Sequence, residues 1–159
     1  SDLTVLDLIR PHDYRPGLYP VGRLDKDTTG LLLLTTDGNL GHALLSPNRH
    51  IAKTYAATLA KTLTADMKQQ LETGIDLKDF TTAPAQVVVL PDTDGKRIQI
   101  TLTEGKFHQV KRMLLAVDNE VTALTRIAMG PLSLPADLAA GEYRALTDDE
   151  RTDLDNITR

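Results

Sequence analysis

The sequence predicts an α+β domain with a mixed, largely antiparallel central sheet and flanking helices. Two strand-forming segments, 85–90 and 97–103, flank an Asp94-Gly95 turn of the kind that closes β-hairpins. A segment at 108–117 has the apolar period of a helix. Strands and helices do not alternate regularly along the chain, which argues against a doubly wound parallel sheet.

The N-terminal third contains three predicted elements. Apolar residues at 5–9 have helical spacing, and Pro11 ends that segment. Residues 31–36 read as one short buried strand that stops at Asp37-Gly38. A helix is predicted from 39 to 45, before Ser46-Pro47.

The middle of the chain predicts a strand and a helix. Residues 53–59 alternate, which places Lys53 and Tyr55 on the same face as Ala57. Thr64 is the predicted N-cap of a helix that runs to residue 73, and Gly74 ends it.

The C-terminal half completes the sheet. Strand 97–103 should turn Ile98, Ile100 and Leu102 inward. Helix 108–117 should bury an apolar stripe and carry two cations on its flank, and a further strand is predicted at 121–128. Thr147 and Glu150 have the spacing of a capping box for a last helix. The stripe consists of Val110, Met113, Leu114 and Val117, and the cations are Lys111 and Arg112.

Length and composition indicate one folded domain. The chain has 159 residues, of which 41% are hydrophobic, and this is enough to form a core. It contains no cysteine, which excludes disulfides and zinc-thiolate sites and is compatible with a reducing cytoplasm. No apolar run approaches the length of a membrane span, so we expect no membrane association.

The net charge of −4 is unevenly distributed. The stretch 136–159 has seven acidic and three basic residues, which accounts for the whole net charge. The stretch 96–112 has five Lys or Arg residues and one acid, so a local basic face for RNA is possible alongside an ordinary solvated surface.

Asp25 is the most informative residue. It lies in VGRLDKDTTGLLLLTTDG, two positions after Arg23 and just before an apolar run. Burial raises the pKa of a carboxylate and a nearby cation lowers it, and reactive carboxylates are found in such surroundings.

Three other interpretations fit the same letters. An EF-hand loop would need Glu at its twelfth position, where Thr36 stands. Asp25-Lys26-Asp27-Thr28-Thr29 matches an aspartyl-phosphate pattern, but Pro20 and Gly22 interrupt the strand that should precede it. A carboxylate that only caps a turn before Gly30 is the third.

Three more segments follow in a fixed order. They read HIAKTY at 50–55, EGKFHQVKRM at 104–113 and LTRIAMGPL at 124–132. Together with the Asp25 segment and the closing GEYRALT at 141–147, they resemble the ribosomal small-subunit pseudouridine synthase A family, which isomerises uridine in ribosomal RNA. The resemblance spans residues 4–150 and implies that family's fold, a central mixed sheet with an active-site cleft across it.

The resemblance implies three catalytic residues. Asp25 matches the catalytic aspartate, which either attacks covalently or removes a proton from the sugar. Tyr55 matches the tyrosine that would stack on the flipped base and assist proton transfer. Lys111 matches the basic residue that would pair with Asp25 and keep it ionised, and Arg112 is the alternative for that role. The reaction needs no cofactor, and we expect no metal site.

Further residues are expected to contact RNA. Arg23 would bind a phosphate or the flipped nucleotide, or else form an ion pair with Asp27. Leu124 would pack against the uracil. The other expected RNA contacts are Lys53, Lys106, His108 and Arg112.

The expected function is therefore a uridine-to-pseudouridine isomerase acting on ribosomal RNA or a pre-ribosomal particle, with small-subunit RNA as the target. Large-subunit RNA, an aspartyl-phosphate phosphatase or phosphotransferase, and a non-catalytic RNA-binding module are the alternatives. Members of the family usually also carry a small N-terminal RNA-binding domain, and residues 1–159 match the catalytic domain only. We expect a cytoplasmic monomer.

Overall fold

The computed structural model describes residues 3–158. The strands are β1 (Tyr19–Pro20), β2 (Thr29–Gly30), β3 (Leu34–Thr35), β4 (Lys53–Leu59), β5 (Gln86–Val89), β6 (Arg97–Leu102), β7 (Val121–Met129) and β8 (Leu132–Ser133). The helices are α1 (Gly38–Leu45), α2 (Ala65–Thr73), α3 (Gln109–Ala116) and α4 (Asp148–Thr158), with 3₁₀ turns at Val5–Leu8 and Pro47–Arg49.

The main sheet has the strand order β2-β7-β4-β6-β5, and β8 pairs with β7. Its pairs are antiparallel except for β2 with β7, which is parallel. Strands β1 and β3 pair separately as a small antiparallel sheet. The predicted α+β class with a largely antiparallel sheet is confirmed.

Local sequence signals fix most of the helix ends. The Thr64 hydroxyl accepts a hydrogen bond from the Met67 amide at the start of α2, and Gly74 ends this helix. At α4, the Thr147 amide donates to the Glu150 carboxylate and the Glu150 amide donates to the Thr147 hydroxyl. Both predicted caps are confirmed.

The single strand predicted for residues 31–36 is wrong. Within this segment only Leu34–Thr35 is a strand, β3, and it pairs with β1. Strand β2 ends just before the segment, at Gly30, and pairs with β7. Gly30 has a φ of +116°. A Cβ at this position would lie 2.2 Å from the Arg126 carbonyl oxygen, so only glycine allows β2 to lie this close to β7.

The core consists of two apolar clusters. One lies between the sheet and helices α2 and α3, and it buries Ile98, Ile100 and the predicted stripe of α3. The other packs Leu44 of α1 and Leu154 of α4 around Met129. Within residues 3–158 no helix is both long and apolar enough to cross a membrane.

The register of β4 decides which side of the sheet carries the predicted site. Lys53 lies opposite Leu102, and Tyr55 lies opposite Ile100. Directly paired residues point to the same face of a sheet, and Leu102 and Ile100 belong to the cluster under α3. Lys53 and Tyr55 therefore share the face that α3 covers.

Candidate active site

Asp25 lies in a tight turn between the small sheet and β2. The Thr28 amide donates to the Asp25 carbonyl at 2.9 Å, which closes the turn. The hydrogen bond from the Leu31 amide to the Arg126 carbonyl, at 2.8 Å, joins the end of this segment to the main sheet. The Asp25 side chain is 26% exposed and is open enough to meet a substrate.

The first residues of α3 supply the groups that face Asp25. His108 Nε2 lies 3.3 Å from Asp25 Oδ1, and Lys111 Nζ lies 3.8 Å from Asp25 Oδ2. The expected ion pair between Lys111 and Asp25 is confirmed. The contact with His108 was not expected, because nothing in the sequence shows that the residue before a helix will reach a turn more than 80 positions away.

Lys111 also has a second carboxylate partner. Its Nζ lies 2.5 Å from Asp27 Oδ1, closer than it lies to Asp25. This hydrogen bond holds the pKa of Asp27 below its ordinary value. Lys111 therefore bridges the two carboxylates of the turn and fixes the turn against α3.

This geometry corrects one of the two interpretations of Arg23. The ion pair between Arg23 and Asp27 is wrong, because among the described residues the ion-pair partner of Asp27 is Lys111 and not Arg23. Arg23 is exposed and has no ion pair among the described residues. A contact between Arg23 and RNA stays a prediction.

Tyr55 lies at an irregular point of the sheet. Thr54 pairs with Ala128, whereas Tyr55 pairs with Arg126, so Ile127 is an extra residue in β7. Bulges of this kind change the direction of neighbouring side chains and are common beside active sites. Tyr55 is half-buried and packs against the core cluster beneath α3.

Arg126 contributes more to the structure of the site than the sequence analysis indicated. Its side chain is 3% exposed, and its Nε donates to the Leu31 carbonyl at 2.9 Å. It thus joins β7 to the segment that follows the Asp25 turn. Its Nη2 is buried and has no hydrogen-bond partner within residues 3–158. No pattern in the sequence shows that this arginine is buried or that it joins two segments of the chain.

Lys53 is a second cation, besides Arg126, on the sheet face that carries Tyr55. Burial lowers the pKa of Lys53, and the nearby charge of Arg126 lowers it further. Lys53 has no carboxylate partner among the described residues, which leaves its ammonium available to an anion.

Two other residues are engaged elsewhere. Arg112 is paired with another carboxylate, since its Nη2 lies 2.5 Å from Asp79 Oδ1 rather than beside Asp25. Leu124 is 7% exposed and belongs to the core cluster. It is mainly a packing residue here, and its contact with uracil stays a prediction.

The basic stretch 96–112 does not form one face. Arg97 begins β6 and Leu102 ends it, which places these residues about 17 Å apart at 3.3 Å per residue. Lys106, His108 and Lys111 follow the end near Lys53, whereas Lys96 and Arg97 lie at the other end of the strand. Only the second half of the stretch lies beside Asp25.

A cavity of about 950 Å³ lies next to this site but does not contain it. Its wall includes Leu24, Thr29 and Gly30, together with apolar residues from 5–9 and 132–146. Asp25, Tyr55 and Lys111 do not line it. Within residues 3–158 no cluster of three or more acidic or histidine side chains is arranged to hold a metal ion.

The fold and this constellation define a protein of the pseudouridine synthase class. A crystal structure of a pseudouridylate synthase superposes with a TM-score of 0.87 at 38% identity, over 95% of this chain and 65% of the other. The RNA pseudouridylate synthase family matches residues 3–116.

Two relatives support the same assignment. An uncharacterized RNA pseudouridine synthase of Bacillus subtilis, YtzG, is 48% identical over 149 residues, which is 92% of this chain and 62% of the relative. Ribosomal small subunit pseudouridine synthase A of Escherichia coli is 46% identical over 136 residues, 84% of this chain and 57% of the relative. This chain belongs to the RNA pseudouridylate synthase family.

The family assignment decides against two alternatives from the sequence. The aspartyl-phosphate interpretation of Asp25 and Asp27 is not retained, and a catalytic role for Asp25 stays a prediction. The chain spans 62% and 57% of the lengths of the two relatives.

Proposed function

We propose that this chain isomerises a uridine to pseudouridine in ribosomal RNA, with small-subunit RNA as the target. The observation that carries the proposal is the Asp25 carboxylate between His108 and Lys111, in a chain of the RNA pseudouridylate synthase family. The Escherichia coli relative is named for the small ribosomal subunit, which favours that target.

The reaction breaks the C1′–N1 bond, rotates the uracil and forms a C1′–C5 bond. N1 gains a proton and C5 loses one, so no group is gained or lost and no oxidant is needed. We assign the ionised carboxylate to Asp25, which acts either by attack on the nucleotide or by removal of a sugar proton. Both routes need the carboxylate in its charged form.

We assign two further residues to the site. Lys111 places its ammonium 3.8 Å from the Asp25 carboxylate and so supplies a positive charge beside it. Tyr55 offers a ring to hold the detached uracil and a hydroxyl for proton transfer at C5. Its position on the sheet face under α3 supports a shared site with Lys111.

RNA binding must also extract the uridine from its stack, which costs a few kcal/mol. We assign phosphate contacts to Arg23, Lys53 and Lys106. Lys53 suits this role because it is partly buried and has no carboxylate partner among the described residues. The expected partner is thus free ribosomal RNA or a pre-ribosomal particle, bound by a cytoplasmic monomer.

The test uses unmodified small-subunit and large-subunit RNA transcripts, incubated separately with the purified chain without metal or nucleotide. Carbodiimide adducts followed by primer extension then locate pseudouridine. We expect one modified position in small-subunit RNA and none with Asp25→Asn.

Other outcomes distinguish the alternatives. Modification of the large-subunit transcript alone would move the target but keep the reaction. RNA binding without any pseudouridine, in both transcripts, would leave a non-catalytic RNA-binding module and refute the proposed reaction.

A further inference from the structure

Both phenylalanines of the chain lie outside its core. The sequence has two Phe and no Trp, and neither Phe80 nor Phe107 belongs to the two apolar clusters. Phe107 is 76% exposed. Large aromatic side chains are usually buried, so an exposed ring beside a candidate active site indicates a surface that contacts a ligand.

The Phe107 ring is held in place by a neighbour. It stacks on the His108 imidazole with ring centroids 3.8 Å apart and planes 17° from parallel. His108 precedes α3 with a left-handed backbone, φ 50°, and its Nε2 lies 3.3 Å from Asp25. One face of Phe107 is therefore covered and oriented by a residue that contacts Asp25, while the other face is open.

The residue before Phe107 is a cation that the other phenylalanine holds in place. Lys106 precedes Phe107 directly, and its Nζ lies 5.7 Å from the ring centroid of Phe80. The Arg112 guanidinium lies 5.7 Å from the same ring. Phe80 thus orients the side chain of the lysine next to Phe107 in the chain. Lys106 has no carboxylate partner within residues 3–158.

An exposed aromatic ring with basic residues in the same segment is suited to bind unpaired nucleic acid bases. Every base has a π-face that an aromatic side chain can stack on, while Lys and Arg contact the backbone phosphates. A protein partner would more often bind a contiguous exposed apolar patch, whereas the Phe107 ring stacks on an imidazole and follows a lysine in the chain.

We propose that Phe107 is a stacking platform for an unpaired RNA base next to the uridine that enters the Asp25 site. This inference rests on the proposed function and adds a contact for the flanking nucleotide. Stacking on Phe107 would hold the strand open beside the extracted uridine.

The experiment measures binding of a short single-stranded oligouridylate that contains one 2-aminopurine, whose fluorescence is quenched by stacking. The variants are Phe107→Ala, Phe107→Leu and Phe107→Trp. Leu115→Ala is the matched control, since Leu115 is an exposed apolar residue of α3 at 62% exposure.

We expect Phe107→Ala and Phe107→Leu to weaken binding roughly 10-fold and to relieve the quenching. Phe107→Trp should retain both, because indole offers a larger π-face. The slope of affinity against salt should stay unchanged in all of them, since no charge is lost. Melting temperatures should match that of the unaltered chain.

The inference would be overturned if Phe107→Ala bound the oligouridylate with unaltered affinity, or if Phe107→Leu kept both the affinity and the quenching. Failure of the proposed function is recognised separately. If the unaltered chain forms no pseudouridine but Phe107→Ala still weakens RNA binding, the platform stands and the reaction does not. If the unaltered chain binds no RNA, both are refuted.

Discussion

His108 Nε2 lies 3.3 Å from the Asp25 carboxylate, closer than the Lys111 ammonium at 3.8 Å. Both groups come from the first turn of α3 or the residue before it, and both reach the same turn of the chain. An ordinary lysine side chain is charged throughout the physiological pH range, whereas an ordinary imidazole changes charge within it. The two contacts should therefore contribute differently to activity.

Removal of the Lys111 charge should lower the rate more than removal of the His108 imidazole. We expect Lys111→Met to reduce kcat roughly 100-fold, because a fixed charge beside a reacting group is lost. Lys111→Arg should retain more activity than Lys111→Met. The rate of His108→Gln should lie between the rate of the unaltered chain and that of Lys111→Met. Single-turnover kinetics on the RNA transcript measure this, and equal rates for Lys111→Met and the unaltered chain would contradict the role given to Lys111.

Substitution of the two carboxylates of the turn should affect activity to very different extents. Asp25→Asn keeps the side-chain volume but removes the charge, so isomerisation should fall to background while RNA binding persists. Asp27→Asn loses only a partner of Lys111 at a side chain that is 77% exposed, and it should retain most activity. Pseudouridine formation measured for the pair of variants checks this. Loss of activity in Asp27→Asn with activity kept in Asp25→Asn would reverse the assignment.

Tyr55 should separate binding from chemistry. Tyr55→Phe keeps the ring and loses the hydroxyl, so RNA affinity should be normal and kcat roughly 100-fold lower. Tyr55→Ala should lose both, and it should also lower stability because Tyr55 packs against the core. Affinity, kcat and melting temperature are measured for each variant, and a Tyr55→Phe enzyme with an unaltered rate would exclude the hydroxyl from the reaction.

The charge of Lys53 should lower the stability of the folded protein and strengthen its binding to RNA. Burial and Arg126 lower the pKa of Lys53, so its charge disfavours the folded state at neutral pH. Lys53→Met should raise the melting temperature at pH 7, and the gain should shrink as the pH rises through the lowered pKa towards 10.5. RNA affinity should fall roughly 10-fold with a shallower salt slope. Lys96→Met, at the other end of β6, is the control and should show neither effect.

Glu150 should make stability depend on acid pH. The Arg144 guanidinium and the Thr147 amide lower the pKa of Glu150 to about 2, from an ordinary value of 4.5. Its stabilising contribution is thus present above pH 4.5 and is lost as the pH falls towards 2. Glu150→Gln should lower the melting temperature at pH 7, and the difference should narrow below pH 4.5. A constant difference across that range would show that charge is not the cause.

Much of the fold followed from local signals in the sequence. Helix α2 begins and ends at its predicted cap residues because Thr64 and Gly74 act on backbone groups within a few positions. Strand β4 has the predicted bounds because alternation needs only its own residues. The strand predicted for residues 31–36 was wrong because the two short strands of this region, β2 just before it and β3 within it, depend on distant partners, β7 for β2 and β1 for β3.

The sequence by itself determined the α+β class, the position of Asp25 just before an apolar run and, through family resemblance, its pairing with Lys111. Only the tertiary structure decided that Lys111 also binds Asp27, that His108 faces Asp25 and that Arg126 fastens β7 to the segment after the turn. Chain spacing and periodicity describe a residue's neighbours along one element. A contact between α3 and a turn 84 residues earlier depends on how the elements pack, which no local pattern contains.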